Sequence, residues 1–191
     1  MKSLNHFFVK VEKRFNDTLN VAGKDIYLES KFDEFENRIC FGEIVSAPLR
    51  HATGAKEGDT LFFHHHVTTT KDLSIGDDTY IARYSTGRGD AIAYRCKDTG
   101  EISMLGHWIF VVPTEESQDV VTESGLVSRL AIHNKNENLA KMFKPSDYLS
   151  QQGVTEGSIV CFTKDADYKM TLDDGSVVFR MTEDNLNYVK D

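Results

Sequence analysis

The sequence is poor in cysteine, short of basic residues and without a long apolar run, and each shortage removes a class of function. Three cysteines occur among 191 residues, Cys40, Cys96 and Cys161. They are far apart, odd in number and set in strand-like sequence. This argues against a disulfide framework or a zinc cluster, and for buried thiols in a reducing compartment. Lysine and arginine number 22 against 30 aspartates and glutamates, a formal charge of -8. That deficit disfavours binding to nucleic acid through its phosphates, and equally to an anionic membrane surface. No stretch reaches the roughly 18 apolar residues that cross a bilayer. "MKSLNHFFVKVEKR" carries charge where a secretory leader needs a hydrophobic run, so the expected location is the cytoplasm.

What is present is a series of short segments rich in β-branched and aromatic residues, punctuated by Gly, Asp and Asn. "FFVKV" (7–11), "RICFGEIVSA" (38–47), "DTLFF" (59–63), "TYIARY" (79–84), "AIAYRC" (91–96), "WIFVV" (108–112), "SIVCF" (158–162) and "SVVFRM" (176–181) all have strand length and strand composition. The spacing predicts a mainly β protein. One helix is expected within "NENLAKMFKPSDYLSQQ" (136–152), kept short by Pro145.

The strands repeat. "GAKEGDTLFF" (54–63) aligns with "GVTEGSIVCF" (153–162), "NHFFVKV" (5–11) with "GHWIFVV" (106–112), and "AIAYRCKD" (91–98) with "SVVFRMTE" (176–183), the last matching Arg95 to Arg180. The three pairs occur in the same order in both halves, as in a duplicated unit. They place the halves at residues 1–104 and 105–191. The last pair is more closely spaced than the others, which predicts an insertion in the first half near residues 64–89.

Several local patterns suggest chemistry and fall short of it. His64 and His66 would share one face of a strand, yet His51, His107 and His133 supply no ligand spacing, so a solvent-exposed strand end is expected and no metal. "TGRGD" (86–90) has two glycines but no phosphate-binding lysine, and reads as a turn at the tip of the insertion. Ser124 in "ESGL" lacks the glycine that a nucleophile elbow needs. Asp173, Asp174, Glu183 and Asp184 are expected to cap turns and keep the surface charged. No catalytic site and no cofactor are expected.

The order of these pieces resembles the GroES-like co-chaperonins, the lids of chaperonin chambers, and the resemblance covers nearly the whole chain twice. The second half offers "HWIFVVPTEE", then "SQDVVTESGLVSRL", then "GVTEGSIVCF" with its following strands; the first offers "HFFVKVEKR", "NVAGKDIYLES", "FGEIVSAP" and "KEGDTLFF". The resemblance implies two tandem GroES-like β-barrel units, 1–104 and 105–191.

Its most specific element is "VTESGLV", which looks like the mobile loop of the bacteriophage-encoded members. Position by position, Val121, Thr122, Glu123 and Ser124 would lead into a hinge at Gly125, with Leu126 and Val127 as docking side chains. Ser128 stands where the family pattern has a third apolar residue, a place that Leu130 could take from a shifted register. The first half has a competing loop with Ile26, Tyr27 and Leu28 after Gly23. Its near-alternation, continued by Phe32, Phe35 and Ile39, predicts a packed segment, and the second-half loop is expected to be the main contact.

The resemblance further implies a GroEL-like chaperonin partner, host or viral, acting with ATP, and a homo-oligomeric ring of seven. Burying Leu and Val yields about 1.5–3 kcal/mol each, whereas fixing each loop residue costs about 1–2 kcal/mol. One loop would therefore bind weakly, and several on one ring strongly, through effective concentration. The alternative reading is a β-rich virion structural or decoration protein.

Overall fold

A computed structural model describes residues 1–15, 18–27, 38–114, 117–121, 127–131 and 138–190. The first half runs through β1 (Phe7–Lys10), β2 (Thr18–Val21), β3 (Lys24–Tyr27), β4 (Phe41–Ser46), β5 (Thr60–Phe63), β6 (Ser74–Gly76), β7 (Thr79–Ala82), β8 (Ala91–Arg95) and β9 (Ile102–Met104). The second half runs through β10 (Trp108–Pro113), β11 (Ser117–Val121), β12 (Val127–Ala131), β13 (Leu139–Lys144), helix α1 (Asp147–Gln151), β14 (Ile159–Phe162), β15 (Tyr168–Thr171), β16 (Val177–Thr182) and β17 (Leu186–Lys190). The protein is mainly β, and each of the eight segments read as strand-forming contains a strand. No helix is long and apolar enough to cross a membrane among the described residues.

Two antiparallel sheets hold the long strands, in the orders β6-β7-β1-β4-β5-β8-β9 and β15-β16-β10-β13-β14-β17. Among the described residues neither closes on itself: each keeps two outer strands, where closed barrels were expected. The order β6-β7-β1-β4-β5-β8 is matched strand for strand by β15-β16-β10-β13-β14-β17. The irregularities match too. The β1–β4 ladder slips between Phe8 and Val9, and the β10–β13 ladder between Phe110 and Val111. Gly58 donates its N–H to the Ile44 carbonyl at 2.9 Å, and Gly157 to Met142 at 2.8 Å. Both glycines have positive φ, +89° and +93°, so the turn before β5 and the turn before β14 share a backbone open to glycine.

This register corrects one of the three sequence pairings and shifts another by one residue, since Phe8 corresponds to Phe110 where the alignment of 5–11 with 106–112 set it against Ile109. β8, from "AIAYRC", lies beside β5 and so corresponds to β17. β16, from "SVVFRM", lies beside β10 and so corresponds to β7. Arg95 and Arg180 are therefore not equivalent: opposite Phe110 stands Arg180, and opposite Phe8 stands Ile81. Residues 64–78 between β5 and β7 and residues 163–176 between β14 and β16 are of nearly equal length, so the extra length of the first half lies in residues 83–90 between β7 and β8, against 183–185 between β16 and β17.

The helix is shorter than the segment from which it was read. Ala140 and Met142 are buried while Lys141 is exposed, a period of two that makes β13 a strand. Pro145 ends it. Ser146 then caps α1, its Oγ accepting from the Leu149 N–H at 3.2 Å.

Three apolar clusters organise the sheets. One, with Phe7, Val9, Leu61 and Phe63, fills the first half; another, with Ile109, Val111, Met142 and Val160, fills the second. The third joins them, setting Phe62, Ile92 and Met104 against Trp108, Phe110 and Leu172. The sequence of β10 follows from this. Trp108 and Phe110 enter the shared cluster while Ile109 and Val111 face the second half, so the run is apolar on both faces. β1 alternates instead, with Lys10 exposed.

The crossover between halves is clamped by the "TGRGD" loop. His107 donates its N–H to the Gly87 carbonyl at 3.1 Å, and the Trp108 indole donates to the Gly89 carbonyl at 3.0 Å. Gly106, with φ +60°, lies so close that a Cβ there would sit 2.4 Å from the Gly87 oxygen. Gly100 has φ +73° and nothing within 4 Å of its would-be Cβ. Gly100→Ala should therefore cost about 1 kcal/mol, and Gly106→Ala clearly more. Denaturant midpoints of the two variants test this; equal losses would remove the close approach as a constraint.

Candidate functional site

Each half sends out one hairpin at the same point of its fold, between the first long strand and the strand that pairs with it. β2–β3 leaves between β1 and β4, and β11–β12 between β10 and β13; each forms a two-stranded sheet of its own. In the first hairpin Val21 pairs with Lys24, leaving Ala22 and Gly23 as the turn. Their φ values of +52° and +80° give the doubly left-handed turn that matches strand twist.

Ile26 and Tyr27 lie consecutively on β3, and successive strand residues point to opposite faces. Ile26 is 50% exposed and Tyr27 81%. Ile26 pairs with Leu19 and Tyr27 with Thr18, so both stand on the neck side of the hairpin, away from its turn. Of the segment expected to pack, these two residues are exposed. Leu28, Phe32 and Phe35 lie outside the described residues.

In the second hairpin Val121 pairs directly with Val127. Thr122, Glu123, Ser124, Gly125 and Leu126, between them, lie outside the described residues. Val120 pairs with Ser128 and Gln118 with Leu130.

The neck of the first hairpin is tied to the junction of the two halves. Phe15 bridges to Arg38, whose guanidinium lies 5.7 Å from the Phe15 ring and donates to the His65 carbonyl at 3.3 Å. His64 caps a 3-10 turn over His65–Thr68, where an exposed strand end was expected. His66 meets the Asp90 carboxylate at 3.0 Å, and Arg83 reaches the same carboxylate at 2.6 Å. His65 stacks on Tyr168 of the second half, rings 5.2 Å apart and 14° from parallel.

Arg180 completes this junction. It is 5% exposed, its guanidinium 4.3 Å from the Tyr168 ring and 5.2 Å from that of Trp108. Burial lowers its pKa to about 10. Burial and then the Arg180 charge push His64 down to about 3 and His65 to about 4, so both rings are neutral in the folded protein. Nothing in the sequence flagged Tyr168; the one available signal was a lone arginine inside the apolar run "SVVFRM".

The remaining candidates are placed as follows. Asp173 and Asp174 both meet Arg95, at 3.0 Å and 2.8 Å, across the two halves. Asp174 also accepts from the Ser176 N–H and hydroxyl, which chiefly hold its carboxyl down near pKa 2. Glu183 accepts from the Ser146 hydroxyl. Cys40 is buried and its thiol is pushed up to about 11 by desolvation; Cys96 and Cys161 are part-exposed, against the expectation of burial. Among the described residues no three His, Cys, Asp or Glu side chains gather as metal ligands. No protein-family model matches the chain, and no curated protein matches it.

The histidine pair predicts a pH dependence of stability. Above pH 6.5 both rings are neutral whether folded or not. Below it the unfolded chain takes up protons that the folded chain refuses, so stability falls as pH drops from 6.5 towards 4. His65→Phe, which keeps a ring against Tyr168, should flatten this fall. Denaturation midpoints across pH 4–7 test it, and identical slopes for the two proteins would exclude His65 as the cause.

Proposed function

We propose that the chain is a co-chaperonin, a two-unit GroES-like lid that docks on a chaperonin ring and assists ATP-dependent folding in the closed chamber. The observation that carries this reading is the repeated hairpin: each half sends one out from the same point of its sheet, and the first carries Ile26 and Tyr27 on its returning strand with their apolar surface in solvent. An exposed isoleucine beside an exposed tyrosine on a projecting hairpin is an anchor in search of an apolar groove.

The lid works by repetition. One hairpin with two or three apolar anchors binds weakly, because burial gains of about 1.5–3 kcal/mol per side chain are offset by ordering the chain. Several hairpins on one homo-oligomeric ring engage at high effective concentration, and all release when the groove changes modestly. That suits a lid cycling with its partner's ATPase. Ile26, Tyr27 and Leu28 and the segment Val121–Val127 are both docking elements in this scheme, with Leu126 and Val127 the anchors of the second. The lid itself needs no cofactor, metal or catalytic residue, and the ring of seven is carried by the family resemblance alone.

Co-migration with a GroEL-like chaperonin on a sizing column, with and without ATP, tests the reading. The wild type should co-migrate only with nucleotide. Leu126→Asp should weaken retention at least tenfold, and Leu126→Asp with Ile26→Asp should abolish it. Absence of a nucleotide-dependent complex with both host and viral chaperonins would sink the proposal.

A further inference from the structure

We propose that the seam between the two halves holds a binding site for a phosphate-type oxyanion, with the Arg180 guanidinium at its centre and Arg38 and Arg88 beside it. The inference goes beyond the lid reading and does not depend on it.

Arg180 is set deep in the fold by its place on β16, opposite Phe110 on one side and Tyr168 on the other. Only 5% of the residue is exposed. Its guanidinium lies 4.3 Å from the Tyr168 ring and 5.2 Å from that of Trp108. Among the described residues no carboxylate, carbonyl or hydroxyl accepts a hydrogen bond from it. Ring faces attract the charge, but they do not supply the oxygen acceptors that the five N–H donors of a guanidinium take in a fork. A buried cation whose donors lack acceptors is the costly case. Solvent still touches the Arg180 nitrogens, so these donors open to the outside and not into a sealed void.

The surroundings are positive, in a chain whose formal charge is -8. Arg88 lies 5.8 Å from the same Trp108 ring, on the loop that the indole holds through the Gly89 carbonyl. Arg38 belongs to the site through His65: it donates to the His65 carbonyl, and the His65 ring stacks on Tyr168. After burial, the charges of Arg180 and Arg38 are what press His65 towards its neutral form. The carboxylates of the seam are engaged elsewhere. Asp90 holds Arg83 and His66, Asp173 and Asp174 hold Arg95, and Glu183 meets the Ser146 hydroxyl and, at 3.4 Å, His107.

The donors define the class of ligand. A guanidinium fork matches the oxygens of carboxylate and phosphate alike. Here the guanidiniums are brought from three separate elements, the segment before β4, the loop before β8, and β16, and donors of separate origin suit the tetrahedral anion over the planar one. Bound there, the anion ties Arg38, at the neck of the first hairpin, to Arg180 in the second half.

Trp108 is the only tryptophan of the chain, so its emission reports on the site directly. The test titrates the full chain with inorganic phosphate, and with sodium acetate and sodium chloride at matched ionic strength. Phosphate should give a saturable change in Trp108 emission and a rise in the thermal midpoint; acetate should bind more weakly, and chloride should give neither response. Arg180→Met, which keeps a stem between the two rings and removes the donors, should abolish both responses. Should that variant fail to fold, the exposed Arg88→Gln reads the same site, weakening phosphate binding about tenfold. Arg50→Gln, whose guanidinium bonds the Asn5 side chain instead, should respond as the wild type does. A response without saturation, equal responses to phosphate and chloride, or tighter binding of acetate than of phosphate would overturn the proposal. So would a phosphate response that persists in Arg180→Met, or in Arg88→Gln where Arg180→Met does not fold.

Discussion

The fold depends on one packing arrangement, the contact between the face of the first sheet that carries Phe62 and the face of the second that carries Phe110. The two rings meet edge to face, 6.3 Å apart at 77°. Around them Ile92, Met104, Trp108 and Leu172 exclude water. Because β10 is buried on this side as well as against Met142 and Val160, it has no solvent face, and its sequence is apolar without interruption. Arg180 sits in the same layer. Removing a guanidinium from water is costly, and here the aromatic faces of Tyr168 and Trp108 offset part of that cost.

That shared layer sets the positions of the crossover, the histidine turn and the neck of the first hairpin. The crossover from β9 to β10 must be tight, which is why Gly106 lies against the Gly87 carbonyl and why the "TGRGD" loop is drawn inward. The histidine turn, pressed between Asp90 and Tyr168, holds Arg38 at the neck of the first hairpin.

Much of the framework was legible. Strand existence followed from composition and period. Of the three repeat pairings, that of the segments before and in β5 and β14 kept its register, because both hold a glycine with positive φ that the backbone dictates; that of β1 with β10 named the right strands one residue out of register. The third failed because Arg95 and Arg180 look alike only as letters. Arg95 reaches two aspartates at the surface of the junction, whereas Arg180 is enclosed by two aromatic rings. The three histidines were misread for a related reason, since a strand-like neighbourhood says nothing about the Asp90 and Tyr168 that bend them into a turn. The alternating residues of the first hairpin looked like a core strand, but period two reports only that two faces differ, and not that either is covered.

By itself the sequence determined the class of fold and the places of the principal strands, because backbone propensity and side-chain period act over a few residues. Only the tertiary structure decided which strand is the counterpart of which, that the two sheets share a core, that β9 crosses to cover β8, and that Ile26 and Tyr27 face solvent. Those outcomes depend on which surfaces, far apart in the chain, are brought into contact, and no local period carries that information.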